Sequence, residues 1–127
     1  MKRTGLTEAQ IERQITDFLA LEGWRAIKTN PCSDKSRGKG FGEIGMPDVL
    51  YLRYGSKDCF VPGLAEVMWI EHKRPGGKVS PHQADWHYAE RARGALVVVA
   101  TQDFAPHFDG FHAWYLVSGL LRRQGPW

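Results

Sequence analysis

Cysteine is scarce in this chain: Cys32 and Cys59 are the only two among 127 residues. They allow one bridge at most, so a disulfide scaffold is excluded, and with no secretory signal ahead of the first helix both are read as reduced. Their spacing matches no zinc site, and the five histidines add no ligand pattern. No apolar run approaches the length of a membrane span. The basic start Met1-Lys2-Arg3-Thr4 leads into a polar helix and not into the apolar stretch of a signal peptide. Neither sign of charge dominates, since 17 Lys and Arg against 14 Asp and Glu leave a formal net charge of +3. A phosphate-binding Walker loop is also missing: the glycine-rich stretch between Thr29 and Gly45 has no Gly-Lys-Ser/Thr at the required spacing and opens no helix.

What is present has the composition of a soluble globular protein, with 43 % hydrophobic and 24 % charged residues, and reads as one domain over 1–127 with a real core. Thr7 caps a helix predicted from Glu8 to about Leu21, with Ile11, Ile15, Phe18 and Leu19 at helical spacing and Gly23 ending it. Trp24 to Lys28 reads as a first strand. Val49 to Arg53 and Val67 to Lys73 read as antiparallel neighbours, joined by Tyr54–Gly63, a link longer than a tight hairpin. Ser80-Pro81-His82-Gln83 spells a capping box with proline at the first helical position, opening a helix to about Arg93 that Gly94 stops. Ala95 to Ala100 is continuously apolar, as expected of a central strand covered on both faces. This alternation implies an α/β fold with a mixed central sheet flanked by helices. Beyond Gln102, Phe104, Phe108, Phe111, Trp114, Tyr115, Leu116 and Val117 are too apolar to leave in water: some complete the core, and an exposed remainder is an oligomer interface.

Three short stretches carry chemistry. Gly45-Met46-Pro47-Asp48 puts a carboxylate at the start of the second strand, and Glu71-His72-Lys73 puts a carboxylate and an ammonium at the end of the third. Residues two apart in a strand share a face, roughly 6.6 Å apart along the chain, so Glu71 and Lys73 project together and His72 faces away. Two carboxylates can hold Mg²⁺, a hard ion that takes oxygen ligands and keeps several waters. Such an ion neutralises a phosphodiester and acidifies bound water, while a lysine beside it holds or helps deprotonate that water. Taken singly, Asp48 as a turn cap and Glu71 with Lys73 as a solvated pair are ordinary features; the ordered set is not. Glu8 lies near the centre of the first helix's apolar stripe, where a carboxylate is costly without a partner, and Glu12 near its edge is the alternative. Lys28, Lys35, Arg37, Lys39, Lys73, Arg74, Lys78, Arg91 and Arg93 fall around this set in sequence, the footprint of phosphate binding. The stretch from Thr29 to Gly45 is then either a clamp on DNA backbone or a flexible surface loop.

A Glu-bearing helix, Gly-x-Pro-Asp and the run Glu71-His72-Lys73-Arg74-Pro75-Gly76-Gly77-Lys78-Val79-Ser80-Pro81-His82-Gln83 together resemble the VRR-NUC branch of the PD-(D/E)XK nuclease superfamily. The resemblance spans about Leu6 to Val99, as a standalone domain, and the link at Tyr54–Gly63 departs from it by its length. It implies a restriction-endonuclease-like core and a Mg²⁺- or Mn²⁺-dependent DNA endonuclease, selective for branched DNA such as four-way junctions. In that scheme Asp48, Glu71 and the His72 backbone carbonyl ligate the metal, and Glu8 supports it. Lys73 handles the water, and Gln83 orients water or phosphate when it is not simply a helix cap. Lys28, Lys35, Arg37, Lys39, Arg74 and Lys78 contact DNA. Two cuts in a junction suit a homodimer, and a bacterial or phage-encoded enzyme would act in the cytoplasm. A DNA-binding module without chemistry and a sequence-specific restriction-type enzyme are the competing readings.

Overall fold

The protein is described by a computed structural model over residues 5–29, 42–55 and 64–122. Lys35, Arg37, Lys39, both cysteines, most of the glycine-rich stretch and most of the link after Tyr54 lie outside the described residues. Helix α1 (Glu8–Leu21) has the predicted bounds. The Thr7 hydroxyl accepts from the Gln10 amide while the Gln10 side chain accepts from the Thr7 amide, so two donors left over at the helix start are satisfied. Ile11, Ile15 and Leu19 recur on one face and are buried.

Strands β1 (Arg25–Lys28), β2 (Val49–Tyr54) and β3 (Ala65–Glu71) pair antiparallel in chain order. The third starts and ends two residues earlier than the apolar pattern suggests, so Lys73 lies just past its end. Helix α2 (Pro81–Ala92) then crosses over to β4 (Val97–Val99), which runs parallel to β3. Such a crossover returns the chain to the same sheet through a helix laid on its face. Because only nine residues separate Glu71 from Pro81, the first turn of α2 comes back beside the end of β3. Helix α3 (Phe108–Val117) closes the described chain.

The result is three layers. Val49, Tyr51, Met68, Ile70 and Val98 point toward α1 and α3, where they pack with Ile15, Leu19, Phe111 and Tyr115. Trp69, Val97 and Val99 point the other way, against Trp86 of α2. Truncating one of these fully buried side chains, such as Ile15 to alanine, costs about 2–5 kcal/mol. The aromatic tail supplies much of the first core through Phe104, Phe111 and Tyr115, and leaves Leu116 and Val117 exposed. No helix among the described residues is long and apolar enough to cross a membrane.

One expectation is corrected. Val97–Val99 is an edge strand of the described sheet, whose order is β1-β2-β3-β4. All three valines are nonetheless buried. Continuous apolarity reports that both faces of a strand are covered; it does not report what lies along its edge. Here side chains close that edge. Arg91 donates to the Val97 carbonyl, Asp103 accepts from the Val99 amide, and Arg91 and Asp103 pair at 3.1 Å. This is also why Arg91 is no part of a basic stripe at the site: it serves the far end of α2, as does Arg93, paired with Glu90.

Candidate active site

The site is built where β2 begins and β3 ends. Gly45 has φ +88°, and a Cβ added there would lie 2.2 Å from the His82 carbonyl oxygen. Only glycine lets this turn lie against the first turn of α2. Pro47 is buried, and Thr29 ties it down, donating from its hydroxyl to the Pro47 carbonyl at 2.5 Å and from its amide to the Asp48 carbonyl at 2.9 Å. Val49 then enters the core, which turns Asp48 to the opposite face. The register pairs Val49 with Ile70, so its continuation sets Asp48 opposite Glu71. Residues so paired have Cβ atoms about 5 Å apart.

Glu71 is 4 % exposed, and its carboxylate is fully engaged. Its Oε2 accepts from Gln83 Nε2 at 3.2 Å and lies 3.8 Å from Lys73 Nζ. Lys73 in turn donates to Gln83 Oε1 at 2.9 Å, closing a three-membered set. Gln83 simultaneously accepts from the Ser80 amide, while its own amide donates to the Ser80 hydroxyl. The capping role and the site role of Gln83 therefore coexist: the cap fixes the side chain that links Lys73 to Glu71.

His72, the first residue past β3, faces away from Glu71, continuing the alternation of the strand. Its Nε2 meets the Tyr51 hydroxyl at 2.9 Å, and that hydroxyl meets Thr16 Oγ1 at 2.8 Å. Burial pushes the imidazole pKa down to about 3, with Lys28 adding to the effect, so the ring is neutral. Its Nδ1 is buried with no hydrogen-bond partner among the described residues. A bare ring nitrogen costs less there than an unpaired N–H. That places the proton on Nε2, which donates to Tyr51.

Glu8, in the first turn of α1, is drawn into the same field. Burial raises its pKa above the usual carboxylate value; Lys73 opposes that rise, and Asp48, Glu71 and Glu12 add to it. Glu8 thus senses both strand carboxylates and the lysine. Glu12 is held by Lys28 at 2.9 Å. Beside Glu8 a cavity of about 320 Å³ is lined by Leu6, Thr7, Arg74 and Pro75. Arg74 and Lys78 are exposed on the connection between β3 and α2, and the Lys28 side chain at the end of β1 is largely exposed although its ammonium is paired with Glu12.

His87 is the residue that sequence reasoning passed over. It is 2 % exposed, and its Nε2 lies 3.1 Å from Glu71 Oε1. The signal was available: His87 is four residues after Gln83, and such residues share a helix face.

The donor set suits a hard, water-rich cation. Asp48 and Glu71 are facing carboxylates, and Mg²⁺ takes one or two such ligands while filling its remaining positions with water and phosphate oxygen. Among the described residues no group of three or more His, Cys, Asp or Glu side chains is placed to hold a metal ion, so a cation on these two carboxylates would take its other ligands from backbone, water and phosphate oxygen.

Comparison with known proteins agrees with this architecture. A family model described as the VRR-NUC domain matches residues 4–103. A solved structure described as a VRR-NUC domain is 21 % identical, with a TM-score of 0.58, covering 88 % of this chain and 98 % of that one; at this identity the likeness shows the fold. No curated protein matches the chain.

Proposed function

The chain belongs to the VRR-NUC domain family, a nuclease-type domain, and from that premise we propose that it is a metal-dependent, structure-selective DNA endonuclease. The observation that carries this reading is the hydrogen-bonded set of Glu71, Lys73 and Gln83 at the end of β3, next to the Val49–Ile70 pair whose register, continued by one residue, runs from Asp48 to Glu71. Asp48, Glu71 and the His72 backbone carbonyl would hold Mg²⁺ or Mn²⁺, which when bound would offset the charge of the phosphodiester and acidify water. Lys73, fixed by Gln83, donates to the attacking water and to phosphate oxygen, holding the nucleophile in line with the bond to be broken. Gln83 keeps that ammonium and the Glu71 carboxylate at a set distance. Glu8 adds a third carboxylate at the rim, where burial raises its pKa and Lys73 opposes that rise. The new bond joins water oxygen to phosphorus, and the phosphorus–oxygen bond to the departing deoxyribose breaks.

Lys28, Arg74 and Lys78 supply cations for the flanking phosphates, joined by Lys35, Arg37 and Lys39. The substrate in this reading is branched DNA such as a four-way junction. A homodimer would deliver the two cuts, with exposed Leu116 and Val117 as apolar surface for it. The setting is the cytoplasm.

The test is cleavage of a labelled four-way junction beside matched linear duplex, with Mg²⁺, Mn²⁺ or EDTA, by wild type and Asp48→Ala. The expected result is metal-dependent cutting of the junction that Asp48→Ala abolishes while still binding DNA. Cutting by Asp48→Ala at the wild-type rate would remove Asp48 from the site. Binding without cutting under every metal would make the protein a DNA-binding module.

A further inference from the structure

His87 sits on α2 one turn beyond Gln83, almost wholly buried, with its Nε2 on Glu71 Oε1. A carboxylate has no proton to give, so Nε2 is the donor in this bond. A buried histidine bonded to a buried carboxylate is by itself ordinary packing chemistry. What distinguishes this one is the division of labour at Glu71. Gln83 Nε2 and Lys73 Nζ both approach Oε2, at 3.2 and 3.8 Å, whereas His87 takes Oε1. The side chains of Glu71 and His87 are 5 % and 3 % exposed, so water has little access to replace the bond.

The geometry points to His87 as a positioning residue: it anchors Oε1 of Glu71 so that Oε2, the oxygen shared with Gln83 and Lys73, is the one presented to a divalent cation. This rests on the metal-dependent reading above. A terminal carboxylate otherwise rotates about its last torsion with broad freedom, exchanging its two oxygens. Two donors from one helix face, Gln83 on one oxygen and His87 on the other, stop that exchange. Partners that orient a ligating group in this way are typically worth about 10–100-fold in metal affinity.

The experiment is Mn²⁺ titration by calorimetry of the whole chain as wild type, His87→Met and His87→Gln, with thermal unfolding of each. It is paired with proton NMR of the wild-type imidazole N–H during Mg²⁺ addition. His87→Met fills the space without a donor and is expected to weaken Mn²⁺ binding about 10–100-fold. His87→Gln restores an N–H and is expected to recover most of that loss. The His87 N–H signal of the wild type should move with the same concentration dependence as Mg²⁺ binding. Wild-type affinity in a folded His87→Met, or an N–H signal indifferent to Mg²⁺, would overturn the assignment. Were His87→Met to unfold, the wild-type signal decides alone: movement supports the assignment and indifference overturns it. A wild type that binds no divalent cation would defeat the metal-dependent reading and this one with it. A wild type that binds while His87→Met is unaffected defeats only this one.

Discussion

Removing the side chain of Gln83 separates two roles that the structure superimposes. Gln83→Ala loses three hydrogen bonds: from the Ser80 amide, from Lys73 Nζ and to Glu71 Oε2. The first is half of a capping box, and a bond of that kind contributes about 1 kcal/mol. The other two involve charged partners and on their own would contribute about 1.5–3 kcal/mol each. Lys73 and Glu71 already stand 3.8 Å apart, however, and can close on each other once the glutamine is gone. A net destabilisation of about 1–2 kcal/mol follows, a midpoint lowered by roughly 3–8 °C in a domain of this size. Ser80→Ala is the control. It loses the Ser80 hydroxyl's bond from the Gln83 amide, costing about 1 kcal/mol, and leaves the contacts to Lys73 and Glu71 in place. Urea unfolding and junction cleavage would be measured on both. Gln83→Ala should cut about 10–100-fold more slowly, the typical effect of removing a group that orients ligands. Ser80→Ala should cut nearly as wild type. Equal stability losses with unchanged cleavage in both variants would reduce Gln83 to a helix cap and refute the reasoning.

Two further outcomes follow from the same geometry. Gly45→Ala should destabilise by about 3 kcal/mol, from the positive φ (about 1–2 kcal/mol) and from overpacking against the His82 carbonyl (about 1–3 kcal/mol); a wild-type urea midpoint would contradict it. His72 governs acid stability of the metal-free protein: its folded pKa lies below its unfolded value, so the stability it contributes is whole above pH 6.5 and is lost as pH falls toward 3. Between neutral pH and pH 5 that loss is about 2 kcal/mol, at about 1.36 kcal/mol per pH unit. It should be absent in His72→Gln when unfolding is followed in EDTA.

Much of the fold was legible in the residues because local rules decided it. Thr7 and Ser80 opened helices at the predicted residues, since capping depends on atoms within four positions. The alternation read from the apolar run held past the last residue of β3, where His72 turns to Tyr51 while Glu71 and Lys73 approach each other. The edge position of Val97–Val99 was not legible, because apolarity on both faces says nothing about neighbours along the hydrogen-bonding direction. Nor was the separation of Arg91 and Arg93 from the site, because charge counted along the chain carries no direction in space.

The sequence by itself determined which residue types could act and which faces they would occupy: two carboxylates at strand ends, a lysine two residues on, and a glutamine three residues after a helix cap. Tertiary structure alone decided which of them meet. The crossover of α2 brought Gln83 between Lys73 and Glu71, and carried His87 onto the other oxygen of the same carboxylate. The packing of α1 against the sheet set Glu8 in the field of Lys73, Asp48 and Glu71, while Glu12 was left to Lys28. The physical reason is range. Caps and alternation act over a few residues, whereas the contacts that make this site join residues 10 to 16 positions apart in the chain, and only the packing of a helix against a sheet fixes those.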